Sequence, residues 1–578
     1  MDMFQEWMAV ARGDAPADLL LTGARVVNVY TGEILETALA IHQGRFVGFG
    51  DYEARERRDL GGRHLAPGFI DAHVHLESSM ASPSEFVRTV LPRGTTTVAA
   101  DPHEIANVLG KEGIQYMLDA SENQPMDLLF TLPSCVPATH METAGARLEA
   151  GDLLEFFDHP RVVALAEMMN FPGVILGDPG VHAKLQAAHQ KKKPVDGHAP
   201  GLSGKGLNAY LAAAISSDHE CTTPEEALEK MRSGMHIMVR EGTCAQNLDA
   251  LLPALNDQTC RRMMWCTDDR HPHDLLHEGH MDDIVRRAIA AGVDPVMAIQ
   301  MATLNPAEYF GLKDRGAIAP GKRADFLVIG DLEGLHIEAV YVKGQCVAEN
   351  GRLVPGLPLP ETPIPPESMH LEPEQLDFSL KAEGLKIRVI DVMPGQVVTG
   401  SLVMDARTEA GRVVADPDRD LAKLAVVERY TGKAGCGIGF VRGLGIRGGA
   451  LASTVGHDSH NLIVAGDSDE DMEVAAKAVI AMKGGMVVVK GGKVAASLRL
   501  AIAGLMSTAT MEEIERALAG LIREARGLGC TLADPFMTLG FLSLPVIPSL
   551  KLTDQGLVDV DRFERISVFA DAEIQTNP

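Results

Sequence analysis

No run of the 578 residues approaches the roughly 18 consecutive apolar positions of a membrane-spanning helix, so no membrane partner is expected. Basic residues are also short: 53 Lys+Arg stand against 79 Asp+Glu, a formal net charge of −26. That deficit opposes adhesion to anionic lipid and the basic footprint of a nucleic-acid binder, so no nucleic acid is expected. The eight cysteines include no CxxC pair, and the closest two, Cys260 and Cys266 in CRRMMWC, lack metal-site spacing. They read as reduced thiols rather than a disulfide framework. Met1 to Asp18 lacks the basic start and apolar core of a secretion signal. No Walker pattern and no strand–GxGxxG–helix context occurs, which leaves the glycines of 432–472 as turn residues. What is present, 46% hydrophobic and 23% charged residues, is ordinary globular composition. At about 150 residues per domain the chain is expected to be a cytoplasmic protein of two to four domains.

Residues 18–60 alternate and turn repeatedly, with glycines at 23, 32, 44 and 48, and a comparable β-rich segment returns at 316–350. Two such pieces around a long insertion predict one β-domain built from both ends, 1–65 and 311–354. Seven prolines gather in 355–373, so 355–379 is expected to be a stiff extended linker before a mixed α/β domain at 380–578. Between the β-rich pieces, at 66–310, eight short apolar runs alternate with helical stretches. The runs are HLAPGFIDAHVH, TTTVAADPHE, LLFTLPSC, RVVALAEMMN, PVDGHAP, AISSDHE, HIMVREG and RMMWCTDD. Eight strand–helix units in that length predict a (β/α)8 barrel, a fold of about 250 residues. The expected class is therefore α/β: a barrel, a flanking β-domain and a C-terminal mixed domain.

Polar residues fall at the carboxyl ends of these runs: His73 and His75, Glu167, His198, His219 and Asp268. In such a barrel those ends converge on one mouth, where the chemistry is done. Positions 73 and 75 are two apart on a strand, so both face one side. Taken singly, each has an ordinary explanation as a hydrogen-bonded mouth residue, a paired buried acid or a loop cap. Four histidines and two carboxylates meeting at one place instead suggest metal coordination.

These residues resemble the amidohydrolase superfamily and, more narrowly, the prokaryotic adenine deaminases. The resemblance includes PGFIDAHVHLESSM at 67–80, DPHEIANVLG at 101–110, EMMNFPGV at 167–174 and DGHAPGLSGKGLNAY at 196–210. It continues through SDHE at 217–220, VREGT at 239–243 and TDDRHP at 267–272. ATLNPAEYFGL at 302–312 with APGKRADFLV at 319–328 resembles the barrel exit and the return to a flanking β-sandwich, which the resemblance therefore implies for 1–65 and 311–354. Carried over, it makes His73, His75 and Asp268 ligands of the more buried ion, and His198 and His219 ligands of a second. Many members bridge the ions with a carboxylated lysine from strand four; this run has no lysine, and Glu167 stands in its place. The departure favours a glutamate-bridged pair and weakens dihydroorotase and hydantoinase readings. Two divalent ions are therefore expected, manganese(II) or iron(II) by donor set, with zinc also admissible.

The resemblance implies hydrolytic deamination of adenine to hypoxanthine and ammonia by a metal-bound hydroxide, with a purine base as small-molecule partner and a homo-oligomeric assembly. In that scheme Asp268 is the base and proton shuttle, Glu241 exchanges a ring proton, and His219 stabilises developing charge. Asp101, His103 and Glu104, closing strand two, would bind substrate, hold the ligands from behind, or add a ligand. Asp269 and Arg270 would orient Asp268 or form a loop ion pair. His271, His273, His277 and His280 read as solvated loop residues, or as a lid. His457, Asp458 and His460 in GHDSHN would form a second metal site, or pack near the barrel mouth of the same or another subunit. Competing functions are another metal-dependent cyclic amide or amidine hydrolase on the same barrel, and an inactive scaffold.

Overall fold

A computed structural model describes residues 3–571. Five strands, β1 (Phe69–Val74), β2 (Thr95–Ala100), β3 (Asp127–Leu132), β4 (Val162–Met168) and β5 (Val195–Gly197), pair in chain order, all parallel. Three more, β6 (Ser217–Asp218), β7 (His236–Arg240) and β8 (Met263–Cys266), form a second parallel sheet. Beyond β8, Asp268 makes an isolated parallel bridge with Val74, which brings the last strand back beside the first. The hydrogen-bonded sheets are thus a curled five and a three in a TIM-barrel-like domain. Side chains from six strands, Ala72, Ala99, Leu129, Val163, Met238 and Met264, share one small buried cluster, which the curvature encloses.

Helices start where the sequence offers a cap. Ser82 accepts from the Glu85 N–H ahead of Pro83–Val90, and Thr223 from the Glu226 N–H ahead of Pro224–Arg232, each with proline in the first turn. The stretch ANVLGKEGIQYML does not continue as one helix. Gly110, at φ +61°, breaks it into His103–Leu109 and Lys111–Ala120. Because β2 stops at Ala100, His103 and Glu104 stand on the first turn of a helix rather than on the strand.

The run HLAPGFIDAHVH also divides. His64–Pro67 pairs antiparallel with Phe326–Asp331, and only from Phe69 does the chain enter the parallel sheet. Gly68 sits at the changeover, where a Cβ would lie 2.3 Å from Thr96 Oγ1. The flanking β-structure is one continuous nine-stranded sheet rather than two separate ones. Ala17–Asn28 explains this: its first half pairs with Ala54–Asp59 and its second with His64–Pro67. The two halves meet at an irregularity between Leu21 and Ala24, where Gly23 takes φ +62°. Phe46 and Phe326, ring centroids 5.8 Å apart, belong to the core that this sheet folds around.

The proline-rich segment lies along the barrel-like domain, where Ser84 Oγ donates to the Pro360 carbonyl (2.7 Å) and Tyr116 Oη to that of Pro363 (3.0 Å). After it comes an eight-stranded mixed sheet drawn from Lys386–Val392 through Lys493–Arg499. The helix Asp469–Met482 covers one face, placing Met472, Ala475, Ala476 and Val479 against Ala452, Val464 and Val487. Burying each larger apolar side chain in such a layer contributes about 1.5–3 kcal/mol. Of the glycines in 432–472 expected in turns, Gly432, Gly443, Gly445 and Gly448 have positive φ. Gly437 and Gly439 instead lie within the strand Cys436–Arg442, and Gly449 and Gly466 at the ends of Gly449–Ser453 and Leu462–Gly466. No helix among the described residues is long and apolar enough to cross a membrane, and no cysteine among them is disulfide-bonded.

Candidate metal centre

The ends of the parallel strands bring together all six residues singled out as ligands. On β1 and just beyond it, His73 Nε2 and His75 Nε2 lie 3.1 Å apart. Asp268 Oδ1 is 3.8 Å from the first and 3.2 Å from the second. Glu167 Oε1, from β4, is 3.9 and 3.4 Å from the same two nitrogens. Its other oxygen faces the opposite way: Oε2 is 2.6 Å from His198 Nδ1 and 3.2 Å from His219 Nε2. Glu167 therefore presents one oxygen to each of two histidine pairs. The rings of His73 and His219 stack with centroids 4.4 Å apart, which holds the two halves against each other.

The backbone fixes this geometry. The Asp268 N–H donates to the His73 carbonyl (2.9 Å), at the bridge between β1 and the end of β8. Beneath it the buried Asp71 carboxylate accepts from the Thr267 N–H (3.1 Å) and Thr267 Oγ1 (2.5 Å), and its Oδ2 lies 3.1 Å from His280 Nε2. Tyr210 Oη donates to the Met168 carbonyl (2.9 Å) and accepts from the His198 N–H (3.1 Å), tying β4 to the residue after β5.

These groups fit a cation. His75 Nδ1 donates to the Asp101 carbonyl (3.1 Å), which leaves Nε2 as the nitrogen that faces Asp268 and Glu167. Burial opposes ionisation of Glu167, yet the surrounding histidines, His198 foremost, hold its carboxyl well below the usual range. Burial likewise opposes ionisation of Asp268, and the Arg240 guanidinium holds that carboxyl well below its usual value. Buried anionic oxygens and imidazole nitrogens in two adjoining groups are a donor set for divalent ions.

Around this core the other candidates separate. Asp101 Oδ2 accepts from His103 Nδ1 (3.0 Å), which is also 3.6 Å from Glu167 Oε1, so this pair borders the cluster. Glu104 turns to the C-terminal sheet, where Oε1 accepts from His457 Nδ1 (2.8 Å) and Oε2 pairs with His460 Nε2. Of the readings open for GHDSHN, the structure shows hydrogen bonding at the barrel mouth of the same chain. Asp269 accepts from Ser78 Oγ. Arg270 is not directed at the cluster; it donates to the Glu241 carbonyl, Glu278 and Asp283, each at 3.0 Å.

Glu241 is not brought there either. It accepts from the Leu248 N–H (2.6 Å) and pairs with Arg287 of the helix Met281–Ala290. The side chain that β7 contributes is Arg240, which donates to Asp268 Oδ2 (2.7 Å) and Glu220 Oε2 (3.0 Å). Sequence reasoning passed over both Arg240 and Glu220; Glu220 Oε1 lies 3.5 Å from His219 Nε2. The loop histidines also divide. His273 and His277 are exposed beside Glu515. His271 and His280 are buried instead, because Asp534 partners the first and Thr95 with Asp71 the second.

The model of the amidohydrolase family matches residues 64–347, and that of the adenine deaminase C-terminal domain matches 396–564. An adenine deaminase of Desulfatibacillum aliphaticivorans is 54% identical over 565 residues, covering 97% of this chain and 99% of that one. One from Kosmotoga olearia is 48% identical over 568 residues, covering 98% of each chain. The solved structure of an enamidase aligns over 58% of this chain and 96% of its own at 16% identity, with a TM-score of 0.45. The chain is an amidohydrolase and, within that group, belongs to the adenine deaminase family.

Proposed function

We propose that this chain hydrolyses adenine to hypoxanthine and ammonia, using two divalent ions held by His73, His75, Glu167, His198, His219 and Asp268. The observation that carries the reading is Glu167, whose oxygens lie 3.4 Å from His75 Nε2 on one side and 2.6 Å from His198 Nδ1 on the other. Near-complete coverage by relatives named adenine deaminase supports the purine base as substrate. The reading takes the strands as a closed (β/α)8 barrel. The Val74–Asp268 bridge supports one seam, and the Ser216 N–H bond to the Val195 carbonyl (2.9 Å) supports the other.

Mixed imidazole and carboxylate donors suit manganese(II) or iron(II) and admit zinc. When bound, such ions supply water that ionises near pH 7 instead of 15.7. The remaining work is proton traffic by this chain. As water replaces the C6 amino group, one of its protons ends on ring N1 and the other on departing ammonia. Asp268 is the proposed carrier: Oδ1 faces His75, while Arg240 holds Oδ2 and keeps the carboxyl ionised until it takes a proton. With Glu241 turned away, the Asp101–His103 pair beside Glu167 is the proposed partner of the purine ring. His219 acts here as a ligand.

The test is to purify the chain with manganese(II) or iron(II), count metal per chain, and follow ammonia release with the ultraviolet change from adenine to hypoxanthine. Adenine turnover with about two ions per chain is expected. A fully loaded protein that turns over dihydroorotate or an imidazolone but not adenine would overturn the substrate. One that binds no metal would be a scaffold.

A further inference from the structure

Glu104 fastens the C-terminal sheet to the barrel mouth through His457 Nδ1 (2.8 Å) and His460 Nε2. Between those two anchors stands Asp458, 3% exposed. Its Oδ1 is 4.0 Å from His103 Nε2 and 4.0 Å from His457 Nδ1, beyond hydrogen-bond reach of either. Its Oδ2 is buried and has no hydrogen-bond partner among the described residues. A carboxylate left this way is costly unless something donates to it. Among the described residues its ionisable neighbours include His103, His457, Glu104, Glu167 and Glu142, the last also a buried acid with an unpartnered oxygen.

His103 is the measure of where Asp458 stands. One edge of that imidazole is 3.6 Å from Glu167 Oε1, and the other is 4.0 Å from Asp458 Oδ1. The His103 ring therefore stands between Asp458 and Glu167, with gaps of 4.0 and 3.6 Å on its two sides. A purine whose C6 is at the ions would extend its imidazole half over a comparable distance. In a free base that half carries an N–H, which a nucleoside or a 9-alkyl purine lacks.

We infer that Asp458, from the C-terminal domain, completes the purine site by accepting a hydrogen bond from the imidazole N–H of the free base, and so selects bases over 9-substituted purines. The inference rests on the adenine reading above. It gives the C-terminal domain a direct part in recognition, with His457, His460 and Glu104 as positioning residues that hold Asp458 in place. Asp458 moves no proton in the reaction.

The experiment compares wild type, Asp458→Asn and Asp458→Ala, each loaded with manganese(II), using adenine and 9-methyladenine as substrates and hypoxanthine as a ligand in calorimetry. Losing a hydrogen bond to a charged group should lower adenine kcat/KM by about 10- to 100-fold in Asp458→Ala, mostly through KM. Hypoxanthine affinity should fall in step, while metal content stays at the wild-type value and Tm does not fall. Asp458→Asn, which keeps an acceptor oxygen, should fall between. The preference for adenine over 9-methyladenine should shrink with the alanine variant. Unchanged adenine KM and hypoxanthine affinity would overturn the inference, as would equal losses on both substrates or the loss of an ion per chain. A wild-type protein that carries two ions but neither turns over adenine nor binds hypoxanthine would instead reject the adenine reading itself.

Discussion

Arg240 donates a hydrogen bond of 2.7 Å to Asp268 Oδ2, leaving Oδ1 as the oxygen that faces the histidines. The same guanidinium holds Glu220, so one cation offsets the buried Asp268 and the partly buried Glu220 beside the candidate ions. Arg240→Gln removes that charge and leaves both acids without their partner. Breaking a buried pair from one side costs about 3–5 kcal/mol. A clear drop in denaturant midpoint is expected, together with weaker metal retention. A variant as stable as wild type, with metal content unchanged, would show that the pair contributes little.

Asp268→Asn tests the proton carrier separately from the scaffold. The amide retains an oxygen toward His75, so substantial metal should remain, while its NH2 cannot accept from Arg240 and that hydrogen bond is lost. Turnover should fall by about 10²- to 10⁴-fold, the range for removing general acid–base help. Measuring kcat and metal per chain on one preparation separates the two effects. Turnover near wild type would take the proton role away from Asp268.

Glu167 offers the sharper test of the paired ions, because its two oxygens face different histidine pairs. Glu167→Gln should weaken both ions together, giving well under two per chain after dialysis. His198→Asn touches only one half and should leave the ion on the His73, His75 and Asp268 side. Should both variants lose the same single ion, the bridging arrangement would be wrong.

Much of this site was legible because strand geometry is simple. Two-residue spacing put His73 and His75 on one face, and the apolar runs ended in the residues that now converge. The same parity argument, followed through β7, would have selected Arg240 over Glu241. Met238 belongs to the enclosed cluster with Met264 and Cys266, and Arg240 shares its face. Ile237 and Val239 belong to the larger core packed against the helices, and Glu241 follows their parity. An acidic residue at a strand end had outweighed the face it stood on. The contact of Glu104 with His457 and His460 had no local signal, since it joins positions more than 350 residues apart. Nor could alternation alone divide His64–Pro67 from Phe69–Val74; that required knowing which sheet each half would join.

Glu241→Gln should accordingly behave as a structural variant. Its carboxylate accepts from the Leu248 N–H and pairs with Arg287, both away from the histidines. Weakening these contacts costs about 1–3 kcal/mol of stability. Adenine kcat and the pH profile should stay near wild type at a temperature where the variant is folded. A collapse of kcat without loss of stability would return Glu241 to the reaction.

Lys551 gives the C-terminal domain a distinct dependence on pH. Its ammonium is buried and donates to the Val397 carbonyl (2.8 Å), and desolvation pushes its pKa down to about 7. In the unfolded chain the same group titrates near 10.4. Between those values the unfolded state binds a proton at Lys551 that the folded state lacks, so its contribution makes stability rise with pH. Below pH 7 both states are protonated, and the cost of burying the charge is fully present. The slope from this one group is about 1.4 kcal/mol per pH unit across the window. Lys551→Met removes the titration while keeping a chain of similar length, so it should be the more stable protein at pH 7. Its advantage should shrink steadily toward pH 9 in urea unfolding followed by circular dichroism. An advantage that stays constant with pH would mean that Lys551 is charged in the folded protein throughout, and that the Val397 carbonyl and nearby water solvate it.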